Sequence, residues 1–245
     1  MFRHKGKNRT FIQNLRLATL LSFVAGIVNI TGVLSFKTLT TNVTGHFAFF
    51  AEEVMRKDFA AAITFLVFTL FFLLGAFIAN FISEFVAKTN PNLSHIFPIS
   101  LEILILLFVA FFGTSSNLIS FEGKSWSFAM LFAMGIQNSL VTKISQSTVR
   151  TTHLTGLFTD LGIELSQLFF YKKPEENKKL KTNIYLRISI IGFFFIGCVL
   201  GGFAFSLLEL KTLFIACFFL LIALLYDSIR LQYHLLKRRK NHSKD

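Results

Sequence analysis

Six apolar runs, each about as long as a helix that crosses a lipid bilayer, dominate this sequence. They cover residues 17–36, 60–82, 96–113, 126–144, 188–208 and 213–229. Hydrophobic residues make up 53% of the chain and charged residues only 16%, which is too apolar for a typical soluble domain or a disordered chain. We therefore predict an all-α integral membrane protein with six transmembrane helices.

The positions of the basic residues predict the orientation of these spans. Six crossings place both termini on one side, and only five of the 25 Lys and Arg residues then fall on the other side: Lys37, Arg56, Lys57, Lys124 and Lys211. The positive-inside rule therefore predicts that both termini are cytoplasmic. The net charge of +12 is explained by this topology, so we expect contact with the lipid bilayer and no nucleic-acid binding.

Two shorter apolar segments, residues 45–55 and 156–171, each follow a Thr-rich stretch. At 1.5 Å per residue the first is only about half as long as the hydrocarbon core is thick. We expect both segments to be half-helices that enter the membrane without crossing it.

The two Thr-rich regions repeat each other. Residues 40–53 read TTNVTGHFAFFAEE and residues 151–164 read TTHLTGLFTDLGIE, which are identical at six of 14 positions. Residues 23–29 likewise resemble residues 132–138, and the small-residue pattern of Gly75 and Ala79 resembles that of Gly197 and Gly201. The predicted division is a basic tail (1–16), repeat one (17–113), an outside loop (114–124), repeat two (125–230) and a basic tail (231–245).

Each repeat contains a span, a half-helix and two further spans. Three crossings make the two repeats run in opposite directions, which is the inverted-topology plan of many secondary transporters. If the half-helices crossed, each repeat would have four spans and the repeats would be parallel. We favour the inverted arrangement.

The chain resembles the YoaK family of uncharacterised bacterial inner-membrane proteins over about residues 17–230. The resemblance is carried by Ala25-Gly26, by residues 42–45 (NVTG), by residues 134–138 (MGIQN) and by residues 151–156 (TTHLTG). The sequence departs from that family at Asn29, where an acidic residue is common, and at His46, where Asn is common. The resemblance implies a multi-pass protein of the bacterial inner membrane and supplies no substrate.

The repeated turns are the predicted substrate-binding site. A turn that opens a helix leaves backbone N–H groups that can hold an anion or polar ligand, and Thr hydroxyls add donors and acceptors. Helix capping by the same Thr residues is the alternative. The candidate residues are Asn29, Thr41, Asn42, Thr44, Gly45, Asn138, Thr152, His153, Thr155 and Gly156.

Three titratable residues are candidates for proton coupling. Glu102 lies inside the third span, where an acid binds a proton or cation or pairs with a basic residue. Asp160 lies on the second half-helix, and His153 is either a proton carrier or a hydrogen-bonded structural residue. Asn29 and Asn138 either face a cavity or join neighbouring helices.

These features predict a secondary transporter or channel for a small polar or anionic solute. The alternative is a non-transporting scaffold, or a lipid-binding or assembly protein. We expect no enzymatic activity, cofactor or metal, because the sequence has no catalytic motif and Cys198 and Cys217 lack metal-ligand spacing. Glycine-rich helix faces also make a homodimer possible.

Overall fold

The computed structural model describes residues 9–114, 120–171 and 173–226, and all regular structure in these ranges is helical. The helices are α1 (Phe11–Phe36), α2 (Val43–Met55), α3 (Phe59–Thr89), α4 (Ile96–Phe112), α5 (Phe121–Ser145), α6 (Leu154–Gln167), α7 (Pro174–Leu208) and α8 (213–226). A 3-10 turn, Glu209–Thr212, joins α7 to α8.

Each predicted span and half-helix coincides with a helix over most of its length, but several helices begin before the apolar run does, and α6 ends at Gln167, four residues before the predicted end of its half-helix. Helix α1 begins at Phe11 because Thr10 and Gln13 form a capping box at its start. Helix α7 begins at Pro174, a residue that suits the first helical position, and includes several polar turns before its apolar run. Outside the described residues lie residues 1–8 of the first basic tail, the whole second tail (231–245), residues 227–229 of the sixth predicted span and residues 115–119 of the predicted outside loop.

Three described helical segments are long and apolar enough to cross a membrane: Phe11–Phe36, Phe59–Thr89 and Pro174–Tyr226, which includes α7 and α8. Helix α3 exposes a row of large apolar side chains, among them Leu73, Phe77, Phe81 and Phe85. A soluble domain rarely exposes an apolar surface of this extent. These features are those of a multi-pass membrane protein.

The first helices of the two halves, α1 and α5, are antiparallel. The Gln137 amide donates to the Leu21 carbonyl at 3.0 Å, near the middle of both helices. Beyond the end of α1, the Thr38 and Ser127 hydroxyls are hydrogen-bonded at 3.1 Å, near the start of α5. The second half of the chain therefore begins in the opposite direction to the first.

Helix α1 packs in parallel against α7, because Phe11 lies near Tyr185 and, further along both helices, Ile30 lies near Gly201. Two glycines bring the helices together. A methyl group on Gly26 would overlap the carbonyl oxygen of Phe194, and one on Gly197 would overlap the carbonyl oxygen of Phe23. The two backbones are therefore in direct contact, which only residues without a side chain allow.

The same contact joins α3 and α5. A methyl group on Gly75 would overlap the carbonyl oxygen of Phe132, and one on Gly135 would overlap that of Phe72. Further along both helices, Glu84 and Lys143 form an ion pair at 2.8 Å, so α3 and α5 are parallel. Helix α3 thus runs opposite to α1, and α2 begins and ends at the same end of the bundle.

The last described helix lies antiparallel to the first. The Arg16 guanidinium donates to the Tyr226 hydroxyl at 3.1 Å, and the Phe23 and Phe219 rings are 5.0 Å apart. The start of α1 and the end of α8 therefore lie together.

Candidate functional site

Each predicted mid-helix asparagine is bonded to a threonine of the turn in its own half. The Thr41 hydroxyl donates to Asn29 Oδ1 at 3.0 Å, and the Thr152 hydroxyl donates to Asn138 Oδ1 at 2.7 Å. The two bonds hold both turns back against the first helix of their half. Both asparagines thus bond to the turn of their own half, and a ligand-facing role for them stays a prediction.

The first threonine of each turn is completely buried. Thr40 and Thr151 are both 0% exposed, and neither hydroxyl has a hydrogen-bond partner among the described residues. Buried hydroxyls without a partner are costly in an apolar interior. Each turn therefore contains a hydroxyl group that the fold of the described residues leaves without a hydrogen bond.

The two turns differ at the residue before each half-helix. Asn42 caps α2, because its side chain accepts from the Gly45 N–H at 2.9 Å. His153 makes no capping bond, and its ring lies against Gly156, where any larger side chain would overlap it. The first N–H groups of α6 are therefore not capped by the preceding side chain. Thr44 and Thr155 are both exposed.

A cavity of about 340 Å³ lies beside the second turn. Its lining comes from the turn, from α6 and from α7, and its polar members include Thr148, Arg150, His153, Asp160, Asn183 and Arg187. The cavity thus brings together two predicted substrate-binding residues, His153 and Gly156, and two predicted proton-coupling residues, Asp160 and again His153.

Arg187 is the central charge at this cavity. Its guanidinium binds both carboxylate oxygens of Glu164, at 2.6 and 3.0 Å, and a third nitrogen binds Asp160 at 3.0 Å. This cluster joins α6 to α7. Arg187 was not among the predicted site residues, although its place as a basic residue next to an apolar run was an available signal.

The corresponding place in the first half is filled by rings. Phe65 precedes Gly75 by ten residues, as Arg187 precedes Gly197, and Phe49 follows Gly45 by four, as Asp160 follows Gly156. The Phe49 and Phe65 rings are 5.3 Å apart. An aromatic contact therefore stands where the second half has an ion pair.

His46 completes this aromatic group. It is buried, its Nε2 is 2.8 Å from the Leu39 carbonyl oxygen, and its ring lies 5.2 Å from that of Phe68. Aromatic side chains thus fill the space beside the first turn, whereas the equivalent space beside the second turn is a polar cavity.

The half-helices that follow the two turns pack against different helices. Helix α2 packs against α3 and helix α6 against α7, with no contact between α2 and α6 in the described parts of the chain. The cavity lining is drawn from residues 147–190 alone. The cavity thus lies at the second turn, and a site framed by both turns stays a prediction.

Glu102 lies away from this cavity, on α4. It is 0% exposed, and neither carboxylate oxygen has a hydrogen-bond partner among the described residues. Its neighbour Ile103 accepts from the Cys217 thiol of α8 at 3.8 Å. Gln137, which joins α5 to α1, is also buried and polar, and it was not among the predicted site residues.

Comparison with known proteins identifies a family and no function. A family model described as "Protein of unknown function (DUF1275)" matches residues 17–226. No curated protein and no solved structure matches the chain. The resemblance predicted an uncharacterised family over nearly this range, and that prediction is confirmed. Since the match covers most of the sequence, the chain belongs to the DUF1275 family.

Proposed function

We propose that the chain forms six membrane spans arranged as two inverted repeats. The antiparallel direction of α1 and α5 supports this, because these helices begin the two repeats. The matching backbone contacts of Gly26 with α7 and of Gly135 with α3 support it as well. We further propose that the protein lies in the bacterial inner membrane with both termini in the cytoplasm, as the basic residues indicate.

In this proposal α2 and α6 are half-helices. They contain 13 and 14 residues, which corresponds to about 20 Å at 1.5 Å per residue, against a hydrocarbon core of about 30 Å. Helix α2 connects helices that run in opposite directions, so it returns to the side from which it starts. Irregular backbone at membrane depth is stable where it lines a polar cavity, as the turn before α6 does.

The proposed activity is transport, as a secondary transporter or channel, of a small polar or anionic solute. The observation that carries this proposal is the 340 Å³ cavity at the start of α6, lined by the charged side chains of Arg150, Asp160 and Arg187. A helix start without a side-chain cap offers N–H groups and a positive dipole to a ligand.

The difference between the halves supports alternating access. A transporter of this plan exposes its site to one side while the other side is packed shut. Here the second turn opens to a cavity, and His46, Phe49 and Phe65 fill the equivalent place in the first half. The structure is consistent with one of the two end states of such a cycle.

A thermal-shift screen of the purified protein in detergent tests the proposed function. A solute that binds the folded state raises the melting temperature in proportion to ln(1 + [L]/Kd), so a panel of small anions, amino acids, sugars and metabolites should contain a stabilising compound. The turn variant Arg150→Gln should reach the membrane and lose most of this stabilisation and of the uptake of the same compound, because Arg150 lines the cavity.

The matched control is Arg56→Gln. Arg56 is an exposed arginine that follows α2 and pairs with Glu52, away from the cavity. Equal binding and uptake in the turn variant and the control would contradict the site. A panel without any stabilising compound would favour the scaffold or assembly function instead.

A further inference from the structure

We infer that the Asp160 carboxylate occupies the position of a substrate carboxylate on Arg187, and that the cavity therefore binds a small organic carboxylate which displaces Asp160. The inference rests on the proposed function and names the class of solute. Three features of the site support it: the unequal contacts of Arg187, the charge of the cavity and its apolar wall.

Arg187 makes an inner contact with Glu164 and an outer contact with Asp160. Glu164 binds the guanidinium through two oxygens, and its side chain is only 10% exposed. Asp160 makes a single contact at 3.0 Å, and its side chain is 51% exposed. Arg187 and Asp160 line the cavity, whereas Glu164 does not. The inner contact therefore holds α6 in place, and the outer contact faces the cavity.

The outer contact is the one that a ligand can replace. A single ion pair with an exposed partner adds little stability, since water competes for both charges. Asp160 accepts from one guanidinium nitrogen of Arg187, so a ligand carboxylate matches the group it displaces in charge and can take the same contact. Binding then exchanges one carboxylate for another, and Glu164 keeps its contact throughout.

The remaining charges favour an anion once Asp160 has moved away. Glu164 compensates Arg187, but Arg150 lines the same cavity without an ion-pair partner among the described residues. His153 and the first N–H groups of α6 also border this space. With Asp160 displaced, the lining carries one uncompensated positive charge and uncapped N–H donors.

The cavity also has an apolar wall, formed by Leu157, Leu186 and Ile190. These side chains are between 0% and 6% exposed. An inorganic anion would leave this wall uncovered, whereas a short hydrocarbon tail would cover it. A carboxylate attached to a few carbon atoms therefore fits better than phosphate or sulfate.

Calorimetric titration of the purified full chain with butyrate tests the inference, with phosphate as the inorganic comparison. The wild-type protein should bind butyrate at least fivefold more tightly than phosphate. Asp160→Asn removes the competing charge and should tighten butyrate binding by fivefold or more. Arg150→Gln should weaken it by a similar factor.

Glu52→Gln is the matched control, because it removes one acidic charge from an exposed pair with Arg56 in the first half. Its butyrate affinity should equal that of the wild type. Unchanged or weaker butyrate binding in Asp160→Asn would overturn the inference, as would equal affinity for butyrate and phosphate.

The proposed function has a separate readout in liposomes that contain the protein. Butyrate binding that responds to Asp160→Asn without uptake of any solute would contradict transport and keep the ligand assignment. Solute uptake that is insensitive to Asp160→Asn, together with unchanged butyrate binding, would keep transport and overturn the ligand assignment.

Discussion

Glycine has a specific role at four positions of this chain, where one helix backbone touches another. Gly26 and Gly197 meet across α1 and α7, and Gly75 and Gly135 meet across α3 and α5. Helix interiors do not favour glycine, which costs about 0.5–1 kcal/mol relative to alanine. The close contact between helices offsets this cost, and any added side chain forces the helices apart.

At the residue scale, Gly135→Ala should destabilise the protein by about 1–3 kcal/mol, the range for an overfilled core. The new methyl group would overlap backbone atoms of Phe72, which cannot rotate away. Gly192→Ala is the control, because no atom lies within 4 Å of the position its methyl group would take. Denaturant unfolding in detergent should show a loss for the first variant and none for the second. Equal stability of the two would contradict the backbone contact.

The role of individual residues was partly predictable from the sequence. The residues that recur in both repeats identified the paired turns, the asparagines and the small-residue patterns, because equivalent positions keep the same residue types. Arg187 and its partners were not predictable in this way. The first repeat has Phe65 and Phe49 at the equivalent positions, so comparison of the repeats gives no sign of an ion pair.

At the scale of the elements, α2 and α6 occupy equivalent positions in the two repeats, but different side-chain contacts attach them to the neighbouring helix. Helix α2 packs through rings, with Phe49 and His46 against Phe65. Helix α6 is attached through the ion pairs of Arg187. Periodicity predicts that both helices exist, and the chemistry that holds each one depends on contacts distant in sequence.

This difference predicts unequal effects for two equivalent glutamates. Glu164→Ala should cost about 2–3 kcal/mol, less than the figure for a fully buried pair because Arg187 is 23% exposed. Hydrogen exchange of the α6 amides should then accelerate, while that of α2 stays unchanged. Glu53→Ala is the control, since its partner Arg56 is 64% exposed. Acceleration in both half-helices, or in neither, would contradict the docking role of Arg187.

At the scale of the whole molecule, the bundle is built from two pairs of helices, and each pair joins a helix of one half to a helix of the other. Helix α1 of the first half packs on α7 of the second, and α5 of the second half packs on α3 of the first. The sequence repeat suggested two equivalent halves. It contained no information on which helix packs on which, because the contacts join positions that are far apart along the chain.

The inverted arrangement predicts that the two turns open to opposite sides of the membrane. In a variant with Cys198 and Cys217 replaced by alanine, Asn42→Cys should react with a membrane-impermeant thiol reagent in intact cells. His153→Cys should react only after the cells are permeabilised, because its turn lies at the other end of the bundle. Labelling of both positions from the same side would indicate parallel repeats.

The crossed pairing of the helices also affects how the protein is made. Helix α1 leaves the ribosome well before its partner α7, because five helices lie between them in the described chain. For most of translation, the bare backbone around Gly26 has no helix to cover it. Synthesis of the second half is therefore what allows the first half to reach its final form, and a chain truncated before α7 should be an early substrate for proteolysis.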